Sequence, residues 1–160
     1  MLPAEKRDAI VAEWVARTLA SYPEQSARFL LQEKDRFRNP AGYLFREGLP
    51  ALFDELHGEW KRQRVEEILE PIIRLRAVQD FTAGQAVGFI FLLKHVLREH
   101  GVAPGEQVFE RIDQLALLAF DLFMKCREEA YEIRAREARR RAGVRFQVSG
   151  ARGKTVGNGA

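Results

Sequence analysis

Apolar residues recur at helical spacing along almost the whole chain. After Pro3, a stripe at every third or fourth position reaches Tyr22, and Pro23 interrupts it. Further stripes lie on both sides of Gly58 and again after Phe81, separated by proline, glycine or polar residues. Steps of three and four residues are typical of amphipathic helices with one buried face. No segment alternates as a strand does, so the pattern predicts an all-α fold.

Two short polar motifs predict where helices begin. Asn39 can cap free N–H groups, and Pro40 loses no helical hydrogen bond at the first position. Thr82 and Gln85 have the spacing of a capping box. Both motifs stand directly before apolar stripes, so each is expected to open a helix.

The longest predicted helix starts after Pro104 and runs to about Arg141. We therefore expect a single helical domain over residues 1–141, with residues 105–124 in the core and residues 125–141 projecting from it. Residues 142–160 hold five glycines and little periodicity. This segment is predicted to be a disordered, basic tail.

Charge and cysteine content argue against a nucleic-acid-binding domain and in favour of a cytoplasmic protein. The chain carries a net charge of +3, but six basic residues and no acidic residue follow Glu137. The body is therefore not basic, and a nucleic-acid-binding domain is not expected. The single cysteine cannot form an internal disulfide, which favours the cytoplasm. No apolar run reaches the length of a membrane span.

The second half of the last predicted helix is mostly charged and has one narrow apolar edge, formed by Cys126, Ala130 and Ile133. Two interpretations are open. The segment can be a solvated helix held by ion pairs between residues four positions apart. Alternatively, the apolar edge is the seam of a homodimer or of a contact with a partner helix.

No pattern of residues indicates catalysis, and we do not expect an enzyme. The three histidines form no metal-binding pair with one another or with the lone cysteine. His95 lies on an apolar helix and is the one candidate for a haem ligand. Its helical position is opposite the apolar stripe, which favours a surface histidine, so neither a metal nor a cofactor is predicted.

Polar residues crowd the predicted joint between two helices around residue 80. They are Arg76, Gln79, Asp80 and Gln85. Such side chains can satisfy the backbone groups that become free where helices end, which is a structural role. They can also form a switch, if the bundle has two packings of similar energy.

The same joint carries a family resemblance. Its motifs are Arg76-Ala-Val-Gln-Asp-Phe81 and Gln85-Ala-Val-Gly-Phe-Ile-Phe-Leu-Leu-Lys94, supported by Trp14, by Tyr22-Pro23 and by the segment at residues 37–42. With these features the chain resembles the N-terminal domain of the RsbR/RsbRD co-antagonist family, the sensory part of the bacterial stressosome.

The resemblance implies a globin-like helical bundle without haem, usually a dimer, that acts as a sensory input in stress-response signalling. In that family a long final helix leads into a C-terminal STAS domain, for which this chain has no room. We therefore expect a stand-alone regulatory domain that acts through protein–protein contacts, and the resemblance implies stressosome-type regulators as partners. Two alternatives are an accessory subunit of a larger enzyme complex and a globin-like sensor of haem or a small ligand.

Overall fold

This computed structural model describes residues 1–152, with side chains up to residue 147. The described part of the chain contains six helices. They are α1 (Ala4–Ala20), α2 (Glu24–Gln32), α3 (Pro40–His57), α4 (Arg62–Val78), α5 (Ala83–Glu99) and α6 (Glu106–Arg152). Within this range there is no strand. None of these helices has the continuous apolar length that a bilayer crossing requires. The all-α class, the helical bundle and the long final helix are confirmed.

The predicted helix start at Asn39 is confirmed, and the side chain of this residue also joins α3 to α2. Asn39 Oδ1 accepts a hydrogen bond from the Gly42 N–H at 2.8 Å. Its Nδ2 donates to the carbonyl of Leu30 at 3.0 Å and to that of Glu33 at 2.8 Å. One buried amide thus caps the first turn of α3 and satisfies carbonyls at the end of α2.

The core is built around α1, which packs against α2, α3 and α5. Trp14 on α1 is fully enclosed, as are Ile90 and Leu93 on α5, and Phe89 is nearly so. The apolar stripe that follows Phe81 in the sequence is therefore the buried face of α5. Helix α6 adds its own apolar stripe to this core, from Ile112 to Cys126.

Helix α6 continues to Arg152, beyond the end predicted at Arg141. Each residue added to an existing helix gains a backbone hydrogen bond, and residues 142–152 contain no proline to stop it. The rest of the predicted tail, residues 153–160, lies outside the described residues. By its contacts the chain divides into two units, Met1–Cys126 and the residues from Arg127 onward.

Charged side chains join α1 to the end of α5. His100 Nε2 lies 2.6 Å from Oε2 of Glu13, and Arg17 pairs with both Glu13 and Glu99. The hydrogen bond from His100, followed by the charge of Arg17, holds the pKa of Glu13 below its ordinary value of 4.5. A carboxyl whose pKa is lowered by folding stabilises the fold above its ordinary pKa, and this contribution is lost as the pH falls through the lowered value.

We expect Glu13→Gln to make the free energy of unfolding depend less on pH in the acidic range. The parent chain should lose more of its free energy of unfolding than the variant between about pH 5 and about pH 3, because only the parent must protonate this carboxyl. Urea unfolding at a series of pH values measures the difference. Glu5→Gln, on the exposed start of α1, is the control. Parallel profiles for the parent and Glu13→Gln would contradict the prediction.

Candidate functional site

A buried arginine lies at the end of α4, where the sequence places the polar joint. Arg76 is in the last turn of this helix, and only 1% of its surface is exposed. It lies on the same face as Ile72, Ile73 and Ala77, which are all buried. The helical period therefore carries a charged side chain into the core.

Four aromatic rings surround the Arg76 guanidinium and form what we call the aromatic cage. The ring centroids lie 4.8–5.2 Å from its Cζ. They belong to Tyr22, Phe45, Phe81 and Phe89. A cation over an aromatic face is attracted by the ring quadrupole, and the attraction is strongest where water is excluded.

The cage leaves most hydrogen-bonding capacity of the guanidinium unused. Arg76 Nη1 donates to the carbonyl of Gln85 at 3.1 Å. Its Nε and Nη2 are buried and make no hydrogen bond of ordinary length and angle within the described chain. Burial lowers the pKa of Arg76, and the Tyr22 phenol acts in the opposite direction. Arginine stays protonated in proteins, so the core holds a cation that pairs with no carboxylate of the described residues.

The other polar residues of the joint gather at the same place. Gln85 completes the predicted capping box: its N–H donates to Thr82 Oγ1 at 3.2 Å, and its Oε1 accepts from the Thr82 N–H at 3.0 Å. Gln79 Oε1 accepts from the Tyr22 hydroxyl at 3.1 Å. Asp80 is exposed. Thr82, Gln85 and Gln79 thus make hydrogen bonds that hold the joint together, whereas Nε and Nη2 of Arg76 make none of ordinary length and angle.

A cavity of about 750 Å³ lies beside this cage. Its wall includes three cage rings, Tyr22, Phe81 and Phe89, together with all three polar joint residues other than Arg76. Its surface is more apolar than polar, and its volume is in the range of small-molecule sites. Arg76 itself does not line this cavity, but the cavity wall and the cage around the buried charge share three rings.

The sequence indicated the joint but not the cage. Its rings come from the segment between α1 and α2, from α3, from the α4–α5 joint and from α5, and nothing in their spacing shows that they meet. One local signal was available. Arg76 continues the steps of three and four residues set by Leu69, Ile72 and Ile73, which predicts an inward-facing position.

His95 does not fit the role of a haem ligand. It is exposed on α5, whereas Leu93 and Val96 on the same helix are buried. His57 stacks on Phe53, and His100 bonds to Glu13. Within the described residues no three histidine, cysteine or acidic side chains are grouped to hold a metal ion.

The three residues of the predicted seam lie in different environments. Cys126 is 5% exposed and belongs to the core cluster. Ala130 is half-buried, and 56% of Ile133 is exposed. An accessible edge is thus formed by Ala130 and Ile133, with Cys126 acting as a core residue.

Comparison with known families identifies the chain. The model of the RsbT co-antagonist protein rsbRD N-terminal domain matches residues 8–140. No curated protein and no solved structure matches the chain. The resemblance stated from the joint motifs is therefore confirmed, and since the match covers most of the sequence, the chain belongs to the family of RsbRD N-terminal domains.

Proposed function

We propose that this chain is a regulatory domain of the stressosome co-antagonist type, which works in the bacterial cytoplasm through contacts with other proteins. The observation that carries the proposal is the family match over residues 8–140. The match extends past Cys126 into the exposed part of α6, so the family pattern includes both units of the chain.

The surface of α6 beyond Arg127 supports a role in protein contacts. Its described residues from Tyr131 to Gln147 are all exposed. Several of them are large and apolar: Tyr131, Ile133, Val144 and Phe146. Exposed apolar side chains on one helix are typical of a surface that another helix covers. We propose that a second copy of the chain, or a helix of a partner, covers the edge of Ala130 and Ile133.

Replacing Ala130 and Ile133 together by glutamate is expected to shift the chain from dimer to monomer. Two carboxylates in the seam lose the apolar contact and repel their copies across it. Sedimentation at several concentrations measures the mass, and circular dichroism verifies the helical content. Ala135→Glu with Ala138→Glu is a matched control, since it adds the same charge at the same spacing on another face of the helix.

Because the family is described as that of RsbT co-antagonist proteins, repeating the measurement with an RsbT-type kinase tests the regulatory contact. We expect the Ala130/Ile133 variant to bind the kinase more weakly than both the parent and the Ala135/Ala138 control. If the variant keeps the parent's mass distribution and kinase binding, this part of α6 is a solvated extension, and it is not the contact surface that we propose.

A further inference from the structure

We propose that the cavity beside the aromatic cage binds a small organic carboxylate with an apolar body, whose carboxylate group is held by Nε and Nη2 of Arg76. The site consists of the cage, the cavity wall and Gly88, whose missing side chain leaves part of the cavity open. This inference goes beyond the regulatory role, because it depends only on the chemistry of the first unit, Met1–Cys126.

The pattern of used and unused donors on Arg76 selects the head group. Nη1 is bound to the Gln85 carbonyl, and the two nitrogens without partners are Nε and Nη2. The N–H bonds of Nε and Nη2 are parallel and form one edge of the guanidinium plane. That edge matches the two oxygens of a carboxylate, which accepts both hydrogen bonds at once.

The rings do not replace these hydrogen bonds. Cation–π contacts stabilise the charge through the faces of the guanidinium, but the N–H groups at its edge stay unsatisfied in a dry environment. An unpaired buried charge is costly, and a carboxylate ligand would neutralise it. A phosphate would bring a second negative charge for which the described cavity wall offers no cation. We therefore assign the site to a carboxylate.

The cavity accounts for the apolar body of the ligand. Phe89 and Leu92 of α5 contribute apolar wall, and a Cβ added to Gly88 would meet no atom within 4 Å. A volume of about 750 Å³ is in the range of small-molecule sites and has room for a medium-chain carboxylate. Asp80 also lines the cavity, but it is exposed, and solvent screens its repulsion of an anion.

Arg76 itself does not line the cavity, so carboxylate binding requires a ring of the wall to move, and we infer that this ring is Phe81. Its side chain belongs both to the cage and to the cavity wall, and it is only half-buried. It lies between Gln79 and Thr82, outside both helices, where the backbone is extended at either side. The other shared rings, Tyr22 and Phe89, are buried. Rotation of Phe81 therefore opens the wall at the lowest cost in packing.

Calorimetric titration of the full chain with octanoate and with octanol tests the proposal. The two probes share one apolar chain and differ in charge. We expect octanoate to bind at least about tenfold more tightly than octanol, which corresponds to about 1.4 kcal/mol. In Arg76→Met this preference should disappear, because the variant keeps an unbranched apolar side chain and removes the donors.

Gly88→Leu tests the cavity independently of Arg76. The leucine side chain should occupy the open space and weaken both probes at least about tenfold, while the helix gains from losing a glycine. Gly84→Leu is the matched control: it lies one turn earlier on α5, its Cβ also meets no atom within 4 Å, and it does not line the cavity. We expect Gly84→Leu to bind octanoate as the parent does.

Three results would overturn the inference. They are failure of octanoate to bind at millimolar concentration, equal affinity for octanoate and octanol, and unchanged octanoate binding in Gly88→Leu. None of these measurements uses a dimer or a kinase. Loss of the ligand site would therefore leave the proposed regulatory contact standing, and the reverse also holds.

Discussion

Arg76→Glu is expected to lower the free energy of unfolding by about 3–5 kcal/mol. The substitution places a carboxylate among four ring faces, which carry negative partial charge and repel it. The shorter side chain also loses the hydrogen bond to the Gln85 carbonyl that joins α4 to α5. A protonated glutamate is neutral, so the penalty should shrink as the pH falls.

Arg76→Met separates the effect of charge from the effect of packing. Methionine fills a similar unbranched volume, and replacing a buried charge by an apolar group is often neutral or stabilising. We expect its free energy of unfolding to stay within about 1.5 kcal/mol of the parent value. Urea unfolding of the parent and both variants at neutral and acidic pH gives the comparison. Equal losses for Met and Glu, with no pH dependence, would mean that the cage requires the shape of arginine and is indifferent to charge.

The difference between these two variants bears on the role of the joint. If Met is tolerated, Arg76 is not required for folding, and a buried cation without a carboxylate needs another explanation. The carboxylate site supplies one, because the charge then serves a ligand. If Met is as damaging as Glu, the structural role expected for the joint is sufficient, and Arg76 acts by closing the bundle between α4 and α5.

Local rules predicted the helices and their starts, but they could not predict the cage. The caps at Asn39 and Thr82 act within one turn, so sequence spacing is enough to identify them. The cage instead requires Tyr22 to meet Phe81 and Phe89, more than fifty positions away along the chain. Such contacts depend on how helices pack, and apolar stripes specify only which face is buried.

Helix α6 gives two further examples of a feature that the sequence alone could not predict. Its apolar period predicted that Ile112 and Leu115 lie in the core, and the structure confirms this. The period alone could not decide whether Cys126 belongs to the core or to a seam, since both positions are apolar. The predicted end of the helix at about Arg141 is too early, because glycine-containing sequence lowers helix propensity without excluding a helix that is already formed.

The second large effect is expected at Trp14, which links the core to the cage. Its indole Nε1–H donates to the Phe89 carbonyl at 2.7 Å, and its ring stacks on Phe89 with centroids 6.5 Å apart. Trp14→Ala removes a fully enclosed side chain and should lower the free energy of unfolding by about 3–5 kcal/mol. Trp14→Phe keeps most of the ring and loses the hydrogen bond, so it should cost about 1–2 kcal/mol.

Urea unfolding, monitored by far-UV circular dichroism, measures the free energy of unfolding of both Trp14 variants. Fluorescence is unsuitable because each substitution itself removes an indole. Phe89 is also a cage ring, so the cavity left by Trp14→Ala should let it shift away from Arg76. We therefore expect this variant, while still folded at low temperature, to bind octanoate less tightly than Trp14→Phe does. If alanine and phenylalanine at position 14 cost the same free energy, the volume of the indole is not what holds α1 to α5, and the hydrogen bond to Phe89 carries the contact.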